Sequence, residues 1–120
     1  MATMNSVIEH VDRVKPNVYL EDDKYEWMSR LDGMIAREVL HTELPAYDLP
    51  ADADRPLLVE HPYDDLYSLY VMAMIDFYNH EYDHYNNAVL VFTERLDQYK
   101  AWALRTGHTC TAHNFRNIMG

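Results

Sequence analysis

Residues 63–104, "YDDLYSLYVMAMIDFYNHEYDHYNNAVLVFTERLDQYKAWAL", decide the fold of this chain. Large apolar and aromatic side chains recur at three- and four-residue steps, the spacing that places them on one face of an α-helix. They are Tyr63, Tyr67, Tyr70, Val71, Met74, Ile75, Tyr78, Tyr82, Tyr85, Val89, Phe92, Leu96 and Tyr99. The pattern predicts one helix of about 60 Å, at about 1.5 Å per residue, or two helices broken near Asn79 or near Asn86-Asn87. A break is favoured because such long helices are rare in small domains.

A second, interrupted apolar stripe lies about 120° around the same helix. A helix that is apolar on two sides must be covered twice. One interpretation places it in the middle of the domain, between residues 7–41 and residues 42–62. The other brings the second stripe against a neighbouring subunit, and it predicts partner contacts at Leu66, Leu69, Phe77, His80, His84, Val91 and Trp102.

The rest of the chain predicts shorter elements around this segment. Residues 7–14 and 22–41 have the spacing of helices, and four prolines make residues 42–62 an extended connection. The fold class is therefore all-α: a small helical bundle with one long helix, continuous or broken, and an extended proline-rich connection. Residues 1–107 form the helical domain, and residues 108–120 form a C-terminal arm without periodicity.

Local signals refine these boundaries. Asp23 and Glu26 fit a variant capping box for the second helix, and Pro62 suits the first position of the long one. Residues 57–59, "LLV", predict either a short strand or a strap over the core. Gly107 is the expected cap at the end of the long helix.

Length and composition restrict the class of protein. A chain of 120 residues is long enough for one domain with one hydrophobic core. No apolar run suits a membrane span or a signal peptide, so a soluble protein made in the cytoplasm is expected. The single cysteine, Cys110, excludes an internal disulfide. A formal charge of −10 argues against a complex in which nucleic acid wraps around the protein, but it allows DNA to pass without specific binding.

The sequence also contains His80-Glu81-Tyr82-Asp83-His84, which matches the H-E-x-x-H pattern of zinc proteases. Both histidines point away from the tyrosine-rich face, whereas protease ligands face inwards, and no third ligand follows at a family spacing. Glu38-Val39-Leu40-His41 is a second E-x-x-H unit, but a di-iron site also needs a glutamate from each of two further helices. We therefore predict no enzyme, no metal ligand and no cofactor.

Four motifs carry a resemblance to a known family: "VDRVKPN" (11–17), "LDGMIAREV" (31–39), "PYDDLYSLYVMAMIDFYNHEYDHYNNAVLVF" (62–92) and "FRN" (115–117). The chain resembles the head–tail connector, or adaptor, proteins of tailed bacteriophages and prophages. These are packing motifs without catalytic anchors, and they extend over nearly the whole chain.

The resemblance implies a helical virion subunit that forms a ring under the portal protein and joins it to the neck or tail. It also implies a terminal arm that engages the portal or a neighbour, for which Phe115, Arg116 and Ile118 are the candidates by position. Such a protein would be made in the cytoplasm of the bacterial host. The alternatives are another phage neck or tail-completion protein, or a small cytoplasmic helical protein-binding module.

Overall fold

The computed structural model describes residues 2–106, which form four α-helices without a sheet. Helix α1 spans Met4–Val14, α2 spans Glu21–Glu38, α3 spans Asp65–Tyr78 and α4 spans Tyr82–Thr106. A 3-10 helix, Ala51–Asp54, interrupts the connection between α2 and α3. The predicted all-α class is confirmed.

The helix starts differ from the prediction. The reciprocal capping box belongs to α1, where Thr3 Oγ1 accepts from Ser6 N at 3.2 Å and Ser6 Oγ accepts from Thr3 N at 2.9 Å. The box predicted at Asp23 and Glu26 is wrong, because the N-cap of α2 is Leu20, three residues before Asp23, and it makes no side-chain capping hydrogen bond. Asp23 instead lies in an acidic first turn, where the helix dipole favours negative charge.

Residues 79–81 break the long helical segment into an antiparallel hairpin. Backbone hydrogen bonds from Asn79 N to Ile75 O (2.9 Å) and from Glu81 N to Asp76 O (2.9 Å) close the turn. The predicted break near Asn79 is confirmed. The tyrosine-rich face therefore folds onto itself, through the ring contacts Tyr63–Tyr99 and Tyr70–Phe92. Phe77 of the second stripe also contacts the Tyr85 ring.

Arg95 fastens α4 to the start of α3. Its Nε lies 3.0 and 3.2 Å from the two carboxylate oxygens of Asp65, and its Nη2 donates to Pro62 O at 2.8 Å. The guanidinium also lies 4.7 Å from the centre of the Tyr63 ring. These contacts fix the open end of the hairpin.

The proline-rich connection is a strap rather than a strand. Leu57 and Val59 are buried in the core, and Leu57 N donates to Ala2 O at 2.9 Å. The peptide bonds before Pro50 and Pro62 are cis. Pro62 is not the first helical residue as predicted, because a turn over residues 61–64 precedes α3.

A buried carboxylate holds the strap to the helices. Asp32 of α2 accepts hydrogen bonds from Tyr67 Oη (2.5 Å), Tyr47 Oη (2.6 Å) and Leu58 N (3.2 Å). Val59 N donates to the same Tyr67 hydroxyl at 2.8 Å. Burial, followed by the nearby Asp32 charge, raises the pKa of both tyrosines, so their hydroxyls remain protonated donors. This network joins α2, α3 and the strap.

Candidate functional site

Helix α4 forms one side of the molecule and packs mainly on α3. Of its 25 residues, only Leu96, Tyr99 and Ala103 are buried. Three large apolar side chains remain in solvent: Leu90 is 69% exposed, Val91 is 53% exposed and Leu104 is 61% exposed. A helix supported on one side leaves its other sides available to a partner.

The end of the hairpin carries a group of exposed aromatic side chains. Phe77, Tyr78 and Tyr82 are 40%, 46% and 52% exposed, and the Phe77 ring contacts those of Tyr78 and Tyr82 at centroid distances of 5.2 and 6.2 Å. Tyr78 also stacks on Trp27 of α2 at 5.6 Å. Aromatic residues of this kind are enriched at protein–protein interfaces. We call Phe77, Tyr78 and Tyr82 the aromatic tip.

The structure divides the predicted partner stripe at the turn. Leu66 is 0% exposed and belongs to the core, so its prediction as a partner contact is wrong. The reason is that α3 lies between α4 and the pair α1 and α2, which cover its second side. Leu69 is half-buried for the same reason.

From Phe77, at the end of α3, onwards the stripe remains accessible. Phe77, His80, His84 and Val91 are exposed, and Trp102 is half-buried beside Tyr99, with ring centroids 5.8 Å apart. The three predicted arm residues, Phe115, Arg116 and Ile118, lie outside the described residues, as does Gly107.

Sequence reasoning missed the exposed positions Leu90 and Leu104 because they belong to neither stripe. It also assigned Tyr78 and Tyr82 to the covered seam. Their place beside Asn79, a residue with strong turn propensity, is the signal that could have identified them as a hairpin end.

The H-E-x-x-H residues do not have the protease arrangement. His80 lies in the turn with a φ of 62°, and its Nδ1 is 2.9 Å from the Tyr82 hydroxyl. Helix α4 begins only at Tyr82, so the two histidines are not one turn apart on a continuous helix. In the other E-x-x-H unit, Glu38 is exposed, and His41 lies beyond the end of α2.

The turn nevertheless brings three potential metal ligands together. Asp76 of α3, Glu81 of the turn and His84 of α4 each offer a ligand atom, and these atoms lie within 4.8 Å of one another. His84 Nδ1 is 3.5 Å from Glu81 Oε2. Asp76 is buried, and its Oδ1 lies 2.7 Å from Lys15 Nζ. Sequence analysis missed this group because Asp76 lies outside both motifs.

Comparison of the chain with protein-family models, with curated proteins and with solved structures gave no match. Among the described helices, none combines the length and apolar character needed to cross a membrane.

Proposed function

We propose that the protein is a structural virion subunit: a ring-forming head–tail connector, or adaptor, of a tailed bacteriophage or prophage. In this role it joins the portal protein to the neck or tail. It is made in the cytoplasm of the bacterial host and acts in the assembled particle. The single observation that carries the proposal is the one-sided support of α4, which exposes Leu90, Val91 and Leu104.

The exposed residues of α4 suit contacts with neighbouring subunits. Burying one large aliphatic side chain contributes about 1.5–3 kcal/mol, so three such residues and the aromatic tip supply a substantial part of an interface. In a ring, one face of each subunit meets a different face of the next. Helix α4 provides one such face, and the opposite side of the molecule is formed by α1 and α2.

The charge of the chain fits passage of DNA through the ring. A formal charge of −10 makes tight binding of the phosphate backbone unfavourable. Acidic walls repel the DNA backbone, which lets the duplex move through a channel without specific binding.

Two alternative functions would also use the exposed apolar residues of α4. Another neck or tail-completion protein would use the same exposed helix against a different virion partner. A small cytoplasmic helical binding module would use it against a host or phage protein outside the particle. The connector is favoured by the four sequence motifs, which resemble that family along nearly the whole chain.

The test compares two variants of the full chain that introduce the same charge at exposed positions. Val91 lies in α4, and Thr42 lies in the connection that follows α2, outside the proposed interface. Binding to assembled portal rings from the same genome is measured by sedimentation, with far-UV circular dichroism to confirm folding. Val91→Asp is expected to weaken binding at least tenfold, and Thr42→Asp is expected to change it less than threefold.

Absence of portal binding by the parent chain would refute the connector proposal. Equal binding of the Val91→Asp variant and the parent would exclude this flank of α4 from the interface. Binding to isolated neck or tail proteins, without portal binding, would favour the first alternative.

A further inference from the structure

The turn of the hairpin has the composition of a metal site. Asp76, Glu81 and His84 provide two carboxylates and one imidazole from the end of α3, the turn and the first residues of α4. This donor set suits first-row divalent ions. Imidazole is a common ligand of Zn²⁺, and carboxylates bind both Zn²⁺ and Mn²⁺. Neither the H-E-x-x-H motif nor the E-x-x-H unit contains all three residues.

The spacing of the donor atoms fits a single ion. Two ligands at about 2.1 Å from a tetrahedral metal lie about 3.4 Å apart. His84 Nδ1 and Glu81 Oε2 are 3.5 Å apart, and all three ligand atoms lie within 4.8 Å of one another. Glu81 and His84 are exposed, so small rotations of their side chains can bring both atoms towards Asp76.

Asp76 supplies an independent observation. Its side chain is 6% exposed, and its buried Oδ1 accepts no hydrogen bond within the described part of the chain. Lys15 Nζ lies 2.7 Å from that oxygen and balances its charge as an ion pair, without the directional geometry of a hydrogen bond. A metal ion can therefore compete with the partly exposed Lys15 ammonium for the buried Asp76 carboxylate.

We propose that Asp76, Glu81 and His84 bind one first-row divalent metal ion, with Zn²⁺ or Mn²⁺ as the preferred type. The ion competes with the Lys15 ammonium for Asp76 and links the end of α3 to the start of α4. It thereby stabilises the turn that carries the aromatic tip. The proposal does not depend on the connector function, and it replaces the sequence-based expectation of no metal site.

The experiment is calorimetric titration of the untagged, chelator-treated full chain with ZnCl₂ and, separately, MnCl₂. One equivalent is expected to bind, and the thermal midpoint is expected to rise because the ion binds the folded state. Glu81→Gln and His84→Ala are each expected to weaken binding by about tenfold or more. His80→Ala is the matched control, since it removes a neighbouring exposed histidine outside the group, and its binding should equal that of the parent.

A second pair of variants tests the role of Asp76 without altering the ligand itself. Lys15→Met removes the competing ammonium and is expected to tighten binding by about tenfold, because a nearby positive charge opposes the ion. Arg13→Met removes the same charge from an exposed position of α1 and should leave binding unchanged. Far-UV and near-UV circular dichroism confirm that each variant is folded before titration.

Three results would overturn the proposal. The first is no saturable binding near one equivalent of either ion. The second is equal loss of binding in the His80→Ala and His84→Ala variants, which would indicate histidine chelation elsewhere on the surface. The third is identical affinity of the Lys15→Met variant, the Arg13→Met variant and the parent, which would exclude Asp76 as a ligand.

Discussion

Replacing Tyr67 by phenylalanine tests whether the Asp32 network holds the strap to the helices. The Tyr67 hydroxyl is buried, donates to Asp32 Oδ1 at 2.5 Å and accepts from Val59 N at 2.8 Å. Its removal deletes a hydrogen bond to a charged acceptor, worth about 1.5–3 kcal/mol. It also leaves a buried backbone N–H unpaired, at about 1–3 kcal/mol. We expect the Tyr67→Phe variant to lose the sum of the two contributions, about 2.5–6 kcal/mol of its free energy of unfolding.

Two further tyrosine variants calibrate that loss. Tyr47→Phe removes one donor, while Asp32 Oδ2 still accepts from Leu58 N, so a smaller loss of about 1.5 kcal/mol is expected. Tyr78→Phe, at an exposed position, should change the free energy of unfolding by less than about 0.5 kcal/mol. Urea unfolding, followed by circular dichroism and tryptophan fluorescence, measures all three. A Tyr67→Phe variant that loses no more than the Tyr78→Phe variant would refute the reasoning.

Two other predictions concern Asp32 and the division between core and surface. Burial raises the pKa of Asp32 above its unfolded value of about 3.9, so the folded state takes up the proton first as the pH falls. The parent should therefore gain stability relative to the Asp32→Asn variant as the pH is lowered from 7 towards about 4; urea titrations with the opposite slope would contradict this. Leu66→Ala should cost about 3 kcal/mol as a buried leucine, whereas Leu90→Ala should cost less than about 0.5 kcal/mol. Equal losses in thermal or urea unfolding would show that the core assignment of Leu66 is wrong.

The helical period of residues 63–104 could be predicted from sequence, but the pairing of its two halves could not. A continuous helix and a tight hairpin give the same spacing within each half. In the hairpin, the aromatic residues on either side of Asn79 become each other's covering surface, as Tyr70 and Phe92 show. His80 takes a left-handed backbone conformation without glycine, so the turn lacks its strongest sequence marker.

The Asp32 hydrogen-bond network could not be predicted from the sequence for a different reason. Asp32 follows Met28 by four residues and precedes Ile35 by three, which places a carboxylate on the apolar face of α2. Its partners Tyr47 and Leu58 come from the proline-rich connection, whose path has no periodic signal. Composition identifies such a connection, whereas only the three-dimensional structure shows which donors it delivers to a buried acceptor.

The sequence left two interpretations of the helix with two apolar sides: a helix in the middle of the domain, or one that contacts a neighbouring subunit. Each interpretation applies to a different half of the hairpin. Helix α3 is the middle helix, covered by α4 on one side and by α1 and α2 on the other. Within residues 2–106, helix α4 is covered on one side, and its buried residues all lie at or beyond Leu96, in its C-terminal half. The half that follows the turn, with Tyr82, His84 and Val91, therefore gains least from its own subunit. Because uncovered apolar surface and the proposed metal site coincide there, a partner or an ion bound to this half would stabilise the hairpin where intramolecular packing contributes least.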